Sequence, residues 1–239
     1  MDHVPHEHQH DADGGHRPLT RFGLAALFGA AALLFVALGV WQVERRAWKL
    51  RLIAAVDARL RAAPAAAPGP GARVTAKGDA YRRVRATGVF DHRRAALVQA
   101  VTERGPGFWL LTPLTTAAGW TVLINRGFTP DAGAPVRRPR GLVAVTGLLR
   151  VTEPGGGFLR ANDPAADRWF SRDVAAIARS RGLPAAAPYF IDADAGGTGY
   201  PVGGLTVVRF RNPHLAYALT WFALAGLSAY GCWRVLRED

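Results

Sequence analysis

The sequence of 239 residues predicts an α+β membrane protein, in which two transmembrane helices flank an extramembrane antiparallel β-sheet or small barrel domain with one inserted helix. Three observations predict this class. Residues 22–43 and 213–233 are apolar runs without a charge when His214 is neutral. Short strand-like runs, separated by turn residues, recur between them. One helical pattern, which follows Asp173, interrupts these strands.

The two apolar runs are long enough to cross a membrane. They contain 22 and 21 residues, and a helix that rises about 1.5 Å per residue crosses the hydrocarbon layer of roughly 30 Å at these lengths. A cleaved signal peptide is the alternative for the first run, with residues 37–39 as the processing site. The length of the run and its weakly charged leader favour a transmembrane helix.

The remaining segments follow from these two helices. Residues 1–21 contain five of the seven histidines and predict a disordered leader. Residues 44–61 repeat apolar side chains at helical spacing and predict a stalk, and residues 62–72 form a linker rich in Pro, Gly and Ala. A single domain is therefore expected over residues 44–212, and residues 234–239 form a C-terminal tail.

The sequence pattern of this domain predicts seven strands and one helix. The strands are expected at residues 83–90, 95–101, 108–114, 121–128, 142–149, 189–192 and 205–210. Asp173 is an N-cap residue for the helix, and Gly182 and Pro184 end it.

The domain is strongly basic. Residues 44–212 carry 26 basic and 12 acidic side chains, which suits an anionic lipid surface or an acidic protein partner. Nucleic acid is not an expected partner, because no stripe of aromatic residues accompanies the scattered arginines. Coding bias is the alternative explanation, since 28 arginines stand against two lysines.

The sequence predicts that the protein is not an enzyme. It contains no phosphate-binding glycine loop, no CxxC, no HExxH and no GxSxG. His92 is the only imidazole of the central domain, so neither a catalytic triad nor a three-histidine metal site can be assembled there. We interpret Asp192 and Asp194 as turn residues of a Gly-rich loop rather than as an acid–base pair.

His214 is the candidate binding residue, because it opens the second predicted span. Tyr217 and Trp221 follow it at helical spacing on nearly the same face. An imidazole at the membrane edge beside flat aromatic rings suits the axial ligation of a haem iron. The alternative is an interfacial histidine that reaches water beside interfacial aromatic residues.

Six segments, read in order, resemble the surfeit-locus-one family of cytochrome oxidase assembly proteins. They are LGVWQVERRAWK from Leu38, YRRVRATGVF from Tyr81, GPGFWLLTPL from Gly105, VLINRGFTP from Val122, NDPAADRWFSRD from Asn162 and NPHLAYALTWFALA from Asn212. The resemblance covers nearly the whole chain after the leader. The His-rich leader and the Ala-Pro-Gly linker depart from the family pattern.

The resemblance implies an assembly factor for a haem-copper terminal oxidase, cytochrome c oxidase, that binds haem a and aids its insertion into the catalytic subunit. His214 stands at the position of the family's second-span histidine. The expected partners are the catalytic subunit, membrane lipids and haem a synthase. The expected location is the bacterial inner membrane, with the central domain periplasmic and both termini cytoplasmic.

If a haem lies at the membrane boundary beside His214, a second group of residues is expected to contact it. Trp41, Arg45 and Trp48 lie roughly along one helical face, and Arg45 is suited to pair with a haem propionate. Interfacial anchoring is the alternative role of these three residues. The alternative function is a membrane scaffold that stabilises the nascent oxidase subunit without binding haem.

Overall fold

The computed structural model describes residues 18–157, 160–183, 185–206 and 210–237. Its helices and strands follow in chain order. They are α1 (Pro18–Arg61), β1 (Ala65–Ala66), α2 (Ala76–Asp79), β2 (Arg83–Phe90), β3 (Ala96–Thr102), β4 (Gly105–Thr116), β5 (Thr121–Thr129), β6 (Leu142–Val151), α3 (Val174–Ser180), β7 (Ala186–Ala193) and α4 (His214–Arg237). The chain divides into two compact units. One comprises α1 as far as Leu52 together with the chain from Phe210 onward, and the other is Ile53–Arg209.

The first unit is a pair of apolar helices. Both α1 and α4 are long and apolar enough, by length and composition, to cross a membrane. Helix α1 extends on both sides of its predicted span, because no proline interrupts it before Pro64. Helix α4 begins directly after Pro213, a residue whose fixed φ suits the first turn of a helix. Most of the predicted leader, residues 1–17, lies outside the described residues.

The second unit is built on a β-sheet that closes on itself. Strand β2 pairs with β6, β6 with β7, β7 with β5, β5 with β4, and β4 again with β2. These five strands therefore form a ring, the small barrel that the sequence predicted as one of two options. Strand β3 extends the sheet beside β4, and β1 lies beside β2.

Ring closure depends on the short contact between β2 and β4. Only three residue pairs join these strands, and one of them is Gly88 with Thr116. A Cβ atom at Gly88 would overlap the carbonyl group of Thr115. A residue without a side chain is therefore required where the two strands meet.

Hydrophobic side chains fill both faces of the central strands. Within β5, Val122 and Ile124 pack in one cluster and Leu123 packs in the other. Successive side chains of a strand point to opposite faces. The second cluster contains Trp169 and the side of α3 that carries Ile177, both fully buried. The continuous apolar run of β5 is thus explained by burial on both faces.

Three expectations about this unit need correction. The sheet is not wholly antiparallel, because β5 and β7 run parallel. The predicted linker is attached to the barrel, since β1 pairs with β2 and the Tyr189 hydroxyl donates to the Pro68 carbonyl at 2.5 Å. No strand is present at Leu205, Thr206 or Phe210, and residues 207–209 lie outside the described part of the chain.

Helix α3 confirms the predicted cap. The Asp173 carboxylate accepts a hydrogen bond from the amide of Ala176 at 3.0 Å, and Asp173 is the residue before the helix. This bond satisfies one of the free N–H groups of the first turn. Gly182 follows the helix with a positive φ of 59°, as expected of a residue that ends it. Pro184, the second predicted stop signal, is not among the described residues.

Candidate functional site

His214 lies in the helical unit and is held by an amide group of α1. Its Nδ1 atom is 2.7 Å from Oε1 of Gln42. Because Oε1 only accepts hydrogen bonds, Nδ1 carries the hydrogen in this arrangement and the lone pair of the neutral ring is on Nε2. The ring is half-buried, whereas Gln42 is only 9% exposed. A histidine ligand is commonly oriented by such a partner on its second nitrogen.

This contact belongs to a regular seam between α1 and α4. Contacts join the two helices at successive positions along α1. Near the start of α1 the Ala25 carbonyl accepts from the Cys232 thiol, and Phe28 lies against Gly231. Further along, Phe35 stacks on Trp221, Gly39 lies against Phe222, and Gln42 meets His214. The α1 positions are spaced by three, seven, four and three residues, the spacing of a heptad seam. The two helices are therefore antiparallel, and their packing fixes the height at which His214 meets Gln42.

The far end of the same seam is closed by an arginine. Arg21 near the start of α1 donates to the carbonyl groups of Val235 and Leu236, both at 2.7 Å. These carbonyls belong to the last turn of α4, where they lack partners within the helix. A positive side chain at this position also complements the helix dipole.

The aromatic residues predicted beside His214 take different positions on α4. Trp221 stacks on Phe35, with ring centroids 5.5 Å apart and an interplanar angle of 22°. Tyr217 is 54% exposed. Trp221 therefore belongs to the packed seam two turns from His214, and Tyr217 lies on the outer surface of the helix.

Trp41, Arg45 and Trp48 lie on an exposed flank of α1. The guanidinium of Arg45 lies 4.1 Å from the centre of the Trp48 ring, a cation–π contact. Trp41 and Trp48 are 53% and 44% exposed. On a helix of 3.6 residues per turn this flank is turned by about 100° from Gln42. The structure thus brings Arg45 and Trp48 together, but in the described part of the chain no hydrogen bond or ring contact joins the three residues to His214.

Sequence reasoning missed Gln42, although a signal was present. Gln42 is the only amide in the run of residues 22–43, which otherwise contains aliphatic, glycine and aromatic residues. A polar side chain within a predicted span normally has a partner inside the helix bundle. His214 is the polar side chain at the matching end of the second span.

The barrel unit contains a second polar centre, built around Asp192. One carboxylate oxygen accepts from Arg150 at 2.7 Å and from Thr206 at 2.8 Å, and the other accepts from Asn125 at 2.7 Å and from Arg172 at 3.4 Å. Arg172 also forms two hydrogen bonds with Glu153, at 2.6 and 2.9 Å. We call Asn125, Arg150, Glu153, Arg172, Asp192 and Thr206 the Asp192 cluster.

The Asp192 cluster corrects the interpretation of Asp192 as a turn residue. Asp192 lies within β7, and its side chain is 5% exposed. Asp194 lies outside the strand and forms an ion pair with Arg83. A cavity of about 240 Å³ adjoins the cluster and is also lined by Tyr81 and Trp109. Because the charged groups of the cluster are all paired with one another, the cluster presents no unpaired charge to the cavity.

Comparison with known proteins agrees with the blocks noted in the sequence. A model described as the SURF1 family matches residues 29–226. Surfeit locus protein 1 of Homo sapiens is 36% identical over an aligned length of 239 residues. The alignment covers 89% of this chain and 73% of the human protein. The Mus musculus protein of the same name is 37% identical, with 81% and 69% covered.

A more distant relative gives the same result. The SURF1-like protein of Monosiga brevicollis is 34% identical, and the match covers 84% of this chain and 82% of that protein. The region matched by the family model, residues 29–226, includes most of α1, the barrel strands and the first half of α4. The chain therefore belongs to the SURF1 family.

Proposed function

We propose that the chain is an assembly factor for a haem-copper terminal oxidase, cytochrome c oxidase, and that it binds haem a through His214 and aids its insertion into the catalytic subunit. Two findings support the proposal. The chain belongs to the SURF1 family, the family that the sequence blocks resemble. The contact between His214 and Gln42 is the single structural observation that carries the haem-binding part.

The residues around His214 fit a haem. With Nδ1 occupied by Gln42, Nε2 is the ring nitrogen that can donate its lone pair to an iron. The neighbouring surface of α4 is apolar and aromatic, since Tyr217 and Phe222 are both partly exposed. When bound, haem a supplies the redox-active iron that the oxidase requires. In this proposal it is cargo rather than a resident cofactor.

Haem a can be released because a site with one protein ligand, His214, binds the iron with only modest affinity. His214 is half-buried, and the described residues offer no second imidazole within the helical unit. Transfer then requires only that the ligands of the oxidase subunit bind the iron more tightly than His214 does. Arg45 is exposed and in the described part of the chain has no carboxylate partner, so it is available to pair with a propionate.

The proposal extends to partners and location. The catalytic subunit of the oxidase is the expected partner, and haem a synthase is the expected source of the cargo. We place α1 and α4 across the bacterial inner membrane, with the barrel unit in the periplasm and both termini in the cytoplasm. Two helices of sufficient length and hydropathy support the membrane location.

Spectroscopy of the purified chain tests the haem-binding step. The full chain is produced together with haem a synthase in a haem a-producing host, and the ratio of haem to protein is measured. We expect bound haem in the wild type and its loss in His214→Ala. His92→Ala is the matched control, because His92 is the histidine of the barrel unit and lies in a turn after β2.

The outcomes separate the proposed function from the scaffold alternative. Full haem content in His214→Ala would remove His214 from the mechanism. No pigment in the wild type, combined with an oxidase that lacks its catalytic subunit when the chain is deleted, would favour a scaffold that never binds haem. The basic barrel unit would then be the surface to test, by substituting its exposed arginines.

A further inference from the structure

Another cavity in the barrel unit has one basic wall and one apolar wall. Its volume is about 250 Å³. The basic wall is formed by Arg126 on β5 and Arg137 in the loop before β6. The apolar wall is formed by Phe90, Pro139, Val143, Val145 and Pro201. This cavity is separate from the Asp192 cluster and belongs to a different unit from His214.

Arg126 is a half-buried cation without a counter-ion. Its guanidinium lies 5.1 Å from the centre of the Phe90 ring, and its Nη2 atom donates to the Arg137 carbonyl. Its Nη1 atom is buried, and among the described residues it has no hydrogen-bond partner. Burial, followed by the charges of Arg137 and Arg138, lowers the pKa of Arg126 to about 10.

The surroundings do not balance this charge. Within the described part of the chain, no carboxylate lies within ion-pair distance of Arg126, Arg137 or Arg138. The acidic residue that lines the cavity, Asp194, is already paired with Arg83. A buried charged donor without a partner is unfavourable, because it has lost its hydration and gained no hydrogen bond.

We propose that this cavity binds a small amphipathic oxyanion, a carboxylate or phosphate group attached to a short apolar body. The oxyanion pairs with the guanidinium of Arg126, which lines the cavity, and is held by the surplus charge of Arg137 and Arg138. The apolar body lies against Phe90, Val143 and Val145. The volume is below the range of roughly 300–1,000 Å³ that is usual for drug-sized ligands, so the site suits a short chain.

Calorimetry with short, water-soluble probes tests the site. The full chain in a non-ionic detergent is titrated with pentanoate, pentyl phosphate, acetate and pentanol. We expect pentanoate or pentyl phosphate to bind, acetate to bind more weakly because it lacks the apolar body, and pentanol not to bind. Comparison of the carboxylate with the phosphate identifies the preferred head group.

Arg126→Met is the decisive variant, since it removes the charge and keeps an apolar side chain of similar length. We expect its affinity for the preferred probe to fall by about tenfold or more, as for loss of a charged hydrogen bond. Arg137→Gln, which changes the rim and not the buried donor, should weaken binding less. Arg104→Met is the matched control, because Arg104 is an exposed arginine of the β3–β4 turn, and it should bind as the wild type does.

The thermal stability of the same variants gives an independent measurement. Without a probe, Arg126→Met should unfold at the same temperature as the wild type or a higher one, because an unpaired buried charge has been removed. Equal affinity in Arg126→Met and the wild type would overturn the proposal, as would equal binding of pentanoate and pentanol. The haem content that tests His214 is unaffected by either result, so the two proposals fail separately.

Discussion

A single amide on α1 decides how His214 can act. Gln42 accepts from Nδ1 and thereby selects the tautomer whose lone pair is on Nε2. Without this bond the ring would be free to rotate and to exchange tautomers. If His214 binds haem as proposed, Gln42 is a positioning residue that acts on the iron through His214.

Replacement of Gln42 by leucine tests this role. Gln42→Leu keeps the volume and removes the acceptor, so we expect haem affinity to fall by about 10–100-fold, the usual cost of losing an outer hydrogen bond to a ligating histidine. Haem content and the position of the Soret band should both change. Gln42→Glu retains an acceptor and should restore binding at least in part. Unchanged spectra in Gln42→Leu would show that the amide has only a packing role.

The Asp192 cluster predicts a large loss of stability on truncation of one residue. Asp192→Ala removes the partner of Arg150, Arg172, Asn125 and Thr206, and leaves two poorly exposed guanidinium groups without their shared anion. We expect the free energy of unfolding to fall by about 3–5 kcal/mol. Urea titration of the full chain in detergent, followed by tryptophan fluorescence, measures it.

Asp194→Ala is the matched control for Asp192→Ala. Asp194 is two residues away and also pairs with an arginine, but its side chain is 39% exposed. An exposed pair of this kind contributes about 1 kcal/mol or less. Equal losses in the two variants would contradict the special role assigned to Asp192.

These residues show where prediction of the site from sequence ends. His214 was identified because its place at the start of an apolar run is a local feature. The Asp192 cluster was missed because its members come from β5, β6, β7 and two loops, which meet only when the ring closes. Spacing along the chain carries no information about such a meeting. Two aspartates at i, i+2 were therefore interpreted by their local sequence alone.

At the scale of elements, alternation and turn residues predicted the strands well but not their directions. The expected strand 83–90 coincides with β2, and the helix after Asp173 coincides with α3. Periodicity reports which side chains share a face, and it does not report which strands pair. The parallel pair β5–β7 follows from ring closure, because a closed ring of five strands cannot have every neighbouring pair antiparallel, and the other four pairs are antiparallel.

The helix pair depends on a close approach at Gly39. A Cβ atom there would lie 2.5–2.8 Å from three carbons of the Phe222 ring. Gly39→Leu therefore displaces the Phe222 ring from the seam one turn from Gln42, at a cost of about 1–3 kcal/mol, as in other overpacked interfaces. The thermal unfolding temperature of the full chain in detergent should fall, because the packing of the seam beside Gln42 is disturbed.

Gly29 provides the control for Gly39 on the same helix. A Cβ atom at Gly29 would meet nothing within 4 Å. Gly29→Leu should keep the unfolding temperature or raise it, because leucine has a higher helix propensity than glycine. Identical behaviour of the two variants would show that α1 and α4 do not pack as described.

At the scale of the whole molecule, the distribution of basic residues disagrees with the proposed periplasmic location of the barrel unit. Arg45, Arg46, Lys49 and Arg51 follow the first apolar run on the domain side, and the domain between the two runs carries 26 basic and 12 acidic side chains. Counted simply, basic residues favour the cytoplasm. Loops longer than about 60 residues are translocated largely regardless of their charge. The length of the barrel unit, Ile53–Arg209, therefore makes the local charges a poor guide to its side.

Cysteine labelling decides the side of the barrel unit. Cys232 is the one cysteine of the chain, so Cys232→Ser provides a background without thiols. In that background we expect Arg104→Cys, at an exposed turn, to react with a membrane-impermeant maleimide in cells whose outer membrane alone is permeabilised. Asp239→Cys, in the C-terminal tail, should react only after the inner membrane is lysed. The reverse pattern would place the barrel in the cytoplasm, where it could not assist an oxidase from the periplasmic side, and the proposed location would be wrong.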